Sequence, residues 1–362
     1  MNTTPGGAIL GGALLPHAPQ FFTRPETEDT ATVARVETVA AQIGERLSAL
    51  NPDVWVTISN DHTQQFFLHC APPFALHVGG EARGAFAGRE FRYPIASELS
   101  FALVRQLYAQ GFDPAFSSTA EVDYALGIPL THMGVSGPLL PVFVNAYLPP
   151  QPTMPRCYAF GKAVSAALSV LGVTAVVMAS GGMSHFPGTD RYAQPDTDFD
   201  RTLLDSIRRG NLQTLAGLDE RRLDESGNIE LRCWAVAAGM LGERVPDIVE
   251  FNPSWHHNYC SVGFWQPARP ATAPHYPSTN PGLVALTHVL HALAYDPSAR
   301  EAYRRDAAAF AGANSLPVEH AKLLQAADFA AMVALGVHPL VSFLARMQLE
   351  REQGSDGIST PP

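Results

Sequence analysis

Over the first 180 residues, short apolar runs alternate with longer stretches of helical periodicity. The runs Ala8–Leu15, Asp53–Ser59, Leu140–Tyr147 and Thr174–Ser180 have the length and unbroken apolar character of buried strands. Between them, Thr30–Leu50 carries Val33, Val36, Val39, Ile43 and Leu47 at helical spacing. Ala96–Gln110 and Gly161–Leu171 read as helices that stop at Gly111 and Gly172, where a glycine can take the left-handed terminal conformation. Residues 187–226 are more charged and predict surface helices and a loop. Strands alternating with helices predict an α/β fold, a mainly parallel central sheet flanked by helices.

The pattern then changes. Pro267, Pro270, Pro274, Pro277 and Pro281 are too dense for a helix or central strand and predict a linker over 267–281. Residues 282–352 are helical throughout, with expected helices around Leu286–Leu293, over Ala299–Phe310 and Val318–Leu335, and over Leu340–Glu350 after His338-Pro339. The tail 353–362 reads as disordered. The expected organisation is a large α/β domain over 1–266, the linker, and a small all-α C-terminal domain over 282–352. So few residues are near the lower limit for an independent core. They are therefore expected to pack on the large domain or a second subunit, and a homo-oligomer is expected.

Composition narrows the function. Hydrophobic residues make up 46% and charged residues 16%, enough for a sizeable core, and the formal charge is −10. That balance argues against nucleic acid, whose phosphates need clustered Lys and Arg. No apolar run reaches the roughly 20 residues of a membrane span. Cys70, Cys157, Cys233 and Cys260 are scattered without a C-x-x-C pair, and the start lacks the basic character of a secretory signal. A cytoplasmic protein with free thiols is expected, and thiolate-bound zinc is not.

Three of the strand runs end on a histidine: Pro16-His17, Asn60-Asp61-His62, and Ser180-Gly181-Gly182-Met183-Ser184-His185. In an open α/β sheet the loops beyond the carboxyl ends of the strands converge on one crevice. A lone histidine there would more often be a cap or a core residue. Three in matching positions point to a metal or acid–base site. The best further ligand is Glu230, at the start of an apolar helix, although a glutamate there also simply favours the helix dipole. Two histidines and one carboxylate form the facial set used for non-haem Fe(II). The same set is compatible with zinc. His185 is then left as a base beside the metal.

On these residues, with Leu15-Pro16-His17-Ala18-Pro19 and Asn228-Ile229-Glu230-Leu231, the chain resembles the class III (LigB-type) extradiol ring-cleaving dioxygenases over roughly residues 8–265. The resemblance implies His17, His62 and Glu230 as Fe(II) ligands and His185 as the acid–base catalyst. The implied substrates are O2 and an aromatic diol that is protocatechuate- or gallate-like, or dihydroxypyridine-like. The stretch from Leu316-Pro317-Val318-Glu319 through Asp328-Phe329 to Leu335-Gly336-Val337-His338 is similar to the small (LigA-type) α-subunit of protocatechuate 4,5-dioxygenase, which in the family covers the mouth of the active site. One departure stands out. The family's Asp-His-Gly…Pro-Leu motif reads here Asp123-Tyr124-Ala125-Leu126-Gly127-Ile128-Pro129-Leu130, with Tyr124 in the histidine's place. Either Tyr124 takes that histidine's catalytic role as a phenol, the reading favoured by the retained Pro-Leu spacing, or His132 supplies the imidazole. His257 and Asn258 fall where the family lines its substrate pocket. Two rivals remain at this point: a non-catalytic interaction protein of the same fold, and a zinc-dependent lyase or hydrolase.

Overall fold

Every apolar run expected as a strand is one in the computed structural model, which describes residues 7–267, 276 and 278–355. The strands are β1 (Ile9–Leu15), β2 (Val54–Ser59), β3 (Phe74–His77), β4 (Glu81–Phe86), β5 (Arg89–Pro94), β6 (Ala115–Ser117), β7 (Ala120–Glu121), β8 (Leu139–Val144), β9 (Ala175–Ser180), β10 (Ile248–Pro253) and β11 (Asn258–Phe264). Among the described residues one sheet has eight strands in the order β10-β11-β1-β9-β2-β8-β3-β6, and β5-β4-β7 form a small second sheet. In the large sheet β1, β9, β2 and β8 run parallel to one another, and antiparallel pairs occur only toward the two edges. The four runs legible in the sequence are thus the parallel centre. They are apolar without alternation because both faces of the sheet are covered. The short or half-exposed strands β3–β7 lack that signature and were not expected.

In the first unit the helices are α1 (Gln20–Thr23), α2 (Thr30–Ser48), α3 (Ser97–Ala109), α4 (Tyr124–Met133), α5 (Met154–Leu171), α6 (Thr197–Arg208), α7 (Glu220–Ser226) and α8 (Leu231–Leu241). Alternate strand residues feed two cores. Leu14, Val56, Val142 and Val177 pack with α3, α5 and α8, while Ala13, Trp55, Leu139 and Met178 pack with α2 and α4. Helix α2 starts where Asp29 accepts hydrogen bonds from the Ala31 and Thr32 amides, the usual N-cap arrangement. Helix α5 starts at Met154, earlier than expected, because Thr153 caps it and Pro155 suits its first turn. All eleven residues of α8 are buried, which accounts for its Ala, Met and Leu content.

The chain divides between residues 269 and 270 into two compact units. The second contains α9 (Val284–Tyr295), α10 (Pro297–Arg305), α11 (Ala307–Ala313), α12 (Val318–Gln325), α13 (Phe329–Leu335) and α14 (Pro339–Ser355). Its own core gathers Leu286, Leu290 and Leu293 of α9 with Ala345 and Leu349 of α14. Two expected single helices are each a pair. Asp306 leaves helical geometry (φ −159°) and caps α11, and Asp328 caps α13 just after Ala327 at φ 50°. In both cases a carboxylate that binds nearby amides competes with helix continuation. Helix α14 carries the chain to Ser355, past the expected end, so the expected tail begins as helix. Its residues 356–362, and 268–275 and 277 of the expected linker, lie outside the described residues. No helix among the described residues is long and apolar enough to cross a membrane.

Candidate active site

Parallel neighbours end on the same edge of a sheet, so β1, β2, β8 and β9 deliver the residues just beyond them to one place. These are His17, His62, Tyr147 and His185, and all four line a cavity of about 590 Å³. Glu230 enters from the side, as the residue that precedes α8. It is fully buried and makes no cap hydrogen bond to its own helix. The expectation of a helix-dipole glutamate is therefore not what the geometry shows. Its carboxylate is turned to the histidines.

Three lone pairs meet at this point. His17 Nδ1 lies 2.8 Å from Ser180 Oγ, and that hydroxyl donates its own hydrogen to the Ala125 carbonyl. Ser180 must therefore accept from His17 Nδ1, which leaves Nε2 bare. His62 Nδ1 donates to Asp123 Oδ2 at 2.6 Å, which likewise leaves its Nε2 bare. The two Nε2 atoms lie 3.0 Å and 3.8 Å from Glu230 Oε1, and one ligand atom from each of the three residues falls within 4.8 Å of the others. Three acceptors facing one another without a proton between them fit a cation. Two imidazoles and a carboxylate with other directions free are the donor set of a catalytic metal.

Glu230 is further held by Tyr147 Oη at 2.6 Å, by Asn60 Nδ2 at 3.1 Å and by the Gly182 amide. Burial opposes its ionisation, but the imidazoles of His17, His185 and His62 around it hold its pKa well below the ordinary carboxylate range. For His62, burial is outweighed by Asp123, Glu230 and Asp61, and its pKa is raised. A proton and a metal ion thus compete for the same nitrogen.

His185 stands apart from the three ligands. Its Nδ1 donates to the Met183 carbonyl at 2.8 Å, and its Nε2 lies 3.9 Å from Glu230 Oε1. Burial lowers its pKa, so it is neutral with a free Nε2 near pH 7. The His257 ring stacks on it at 4.1 Å and 6°. A Cβ on Gly182 would lie 2.2 Å from His257 Nε2, which explains the glycine in that loop. Tyr124 stacks on His62 at 4.2 Å and faces the same cavity. Burial, with Asp123 and Glu230 nearby, raises its pKa, so it remains a phenol.

Two expected site residues are not brought to the cavity. Asn258 is fully buried and spends its amide on Asp200 (2.7 Å) and Thr197, tying β11 to the loop that carries His185. His132 lies on the far part of α4, packed against Phe21 and Phe22 and 3.5 Å from Glu37. Neither is among the residues that line the cavity. Sequence reasoning also missed Tyr147, Asp123 and Asn60 as supports of the ligands. Tyr147 was findable by the rule that found the histidines, since it follows a central strand. Asp123 and Asn60 had no signal beyond adjacency to expected site residues.

The profile of the catalytic LigB subunit of aromatic ring-opening dioxygenase matches residues 11–263. The chain belongs to the LigB family. It is a ring-cleaving dioxygenase, and the non-catalytic and hydrolytic alternatives are set aside. Among its LigB relatives, a 2,3-dihydroxyphenylpropionate/2,3-dihydroxicinnamic acid 1,2-dioxygenase of Klebsiella pneumoniae is 31% identical over 252 residues, covering 68% of this chain and 76% of the relative. One of the same name from Cupriavidus pinatubonensis is 34% identical over 284 residues, covering 64% and 90%. The crystal structure of an uncharacterized Escherichia coli K12 protein, JW3007, shares the fold, with a TM-score of 0.50 at 14% identity over 70% of this chain and 99% of that one. The LigB match stops before the helical second unit.

Proposed function

We propose that this LigB enzyme is an Fe(II) extradiol dioxygenase that cleaves the ring of a vicinal aromatic diol beside its two hydroxyl-bearing carbons. The observation that carries this is the set of bare Nε2 atoms on His17 and His62 facing the Glu230 carboxylate. In this reading these three residues hold the metal. Bound there, Fe(II) supplies the one-electron chemistry through which O2 reacts with a diol, and both oxygen atoms enter the open-chain product. No other oxidant or reductant is needed.

The chain's own groups manage protons and position. His185 Nε2, neutral and free, accepts a proton from a diol hydroxyl and returns it at the bond-breaking stage. Tyr124, kept as a phenol, hydrogen-bonds a substrate oxygen where the family has a histidine. His257 holds the far side of the His185 ring and faces the substrate. Candidate substrates are protocatechuate- or gallate-like diols, dihydroxypyridines and, from the relatives' name, 2,3-dihydroxyphenylpropionate. The second unit is proposed to be a LigA-type helical domain, on the residues similar to that subunit.

Metal analysis of protein purified without air, with O2 uptake on adding each diol, tests the reading. Iron near one per chain and diol-dependent O2 uptake with a ring-opened product are expected. A fully metal-loaded protein that consumes no O2 with any vicinal diol would refute it.

A further inference from the structure

One wall of the cavity carries a buried acid that the proposed chemistry leaves unused. His256, which lines the cavity, makes a hydrogen bond through Nε2 to Oε1 of Glu28, and Tyr259 Oη donates to Glu28 Oε2 at 3.2 Å. Glu28 and His256 are only 8% and 2% exposed. Any positive charge on His256 is therefore cancelled directly behind it. Nδ1 of His256 has no hydrogen-bond partner among the described residues. Around it Tyr192 stacks on the imidazole at 5.3 Å, and Trp255 meets it edge-on at 4.6 Å.

The rest of the lining adds no permanently charged cation. Among the described residues it holds no lysine or arginine, and it includes Pro19, Leu148 and Pro187. His185 and His257, the other imidazoles on this side, stack on each other, and His185 Nδ1 donates to the Met183 carbonyl. Arg191, adjacent to Tyr192, instead donates to the Glu225 carbonyl at 2.6 Å and lies over the Phe186 ring. A carboxylate brought against this wall would lose its water and find no lysine or arginine to pair with, while the Glu28 carboxylate behind His256 offsets whatever attraction that imidazole offers. An alkyl or other uncharged group would meet aromatic faces at no such cost.

We propose that the Glu28–His256 pair is a specificity element, selecting diols whose ring substituent is uncharged over the same diols bearing a carboxylate. This rests on the diol-cleaving reading. It narrows the candidate diols named above, ranking those with a carboxylate, such as the acid in the relatives' name, below uncharged ones. Discrimination of this kind works by penalising the wrong ligand.

The test compares 3-propylcatechol with 3-(2,3-dihydroxyphenyl)propionate, which differ at the end of one side chain. Affinities are measured by anaerobic calorimetry on the iron-loaded full chain, and O2 uptake is followed separately. At least about tenfold tighter binding of 3-propylcatechol is expected. Glu28→Gln, which keeps the side-chain shape and removes the charge, should narrow that ratio at least about threefold, mainly by improving the acid. Equal or tighter binding of the acid by the unaltered protein overturns the proposal, as does failure of 3-propylcatechol to bind. A ratio unchanged in Glu28→Gln removes Glu28 from it. If both diols bind and neither supports O2 uptake, the ring-cleavage reading fails, while the affinity ratio still decides this one.

Discussion

Asp123 accepts hydrogen bonds from both the backbone amide and Nδ1 of His62, at 2.9 Å and 2.6 Å. One carboxylate thus fixes where the imidazole sits and which nitrogen it presents. Partners of this kind typically govern metal affinity by about 10–100-fold. Asp123→Ala is expected to weaken iron binding by that order, measured by competition against a chromogenic chelator. Unchanged affinity would mean that His62 is oriented by something else.

The three proposed ligands and the proposed base should separate experimentally. His17→Ala, His62→Ala and Glu230→Ala are each expected to lose iron while keeping the native circular dichroism spectrum. His185→Phe is expected to keep iron and lose turnover by about 10²–10⁴-fold, the usual share of an acid–base group. Loss of iron in His185→Phe would make that residue a ligand. Full iron and full activity in any of the first three would remove it from the set.

Tyr147 donates at 2.6 Å to the same Glu230 oxygen that faces His17. A hydrogen bond to a buried charge contributes about 1.5–3 kcal/mol. In the metal-free protein, Tyr147→Phe should cost a stability of that order, read from urea unfolding. Adding iron should recover most of it, because the cation then satisfies the carboxylate. Identical unfolding curves for the two metal-free proteins would show that the bond has no net energetic role.

His77, at the end of β3, donates through Nδ1 to the Thr119 carbonyl, and burial lowers its pKa to about 4. The unfolded chain regains the ordinary value near 6.5, so between about pH 6.5 and 4 it binds a proton that the folded protein does not. This contribution is complete above pH 6.5 and is lost as pH falls toward 4, with a slope of up to about 1.4 kcal/mol per unit. His77→Gln should therefore flatten the acid side of the stability–pH curve. Asp200, whose pKa burial raises to about 6, titrates with the opposite sign in both proteins and cancels in the comparison. Parallel curves for the two proteins would contradict the assignment.

The sheet centre and the histidine edge were legible because they depend on short-range signals. A strand buried on both faces must be an unbroken apolar run, and β1, β2, β8 and β9 are such runs. The helix pairs α10–α11 and α12–α13 were not legible. Whether Asp306 and Asp328 point outward or cap the next helix is a choice between local competitors of similar energy.

By itself the sequence determined that four buried strands end in polar loops, that three of those loops carry a histidine, and that Glu230 opens an apolar helix. Those features follow from periodicity and composition. Only the tertiary structure decided that Glu230 faces His17 rather than its own helix amides, and that Asn258 serves Asp200 while His132 packs away from the cavity. It alone set Glu28 against His256, 228 residues apart in the chain. Such pairings cannot be read from spacing. They arise because a buried polar atom must find its partner wherever the packed core brings one within reach.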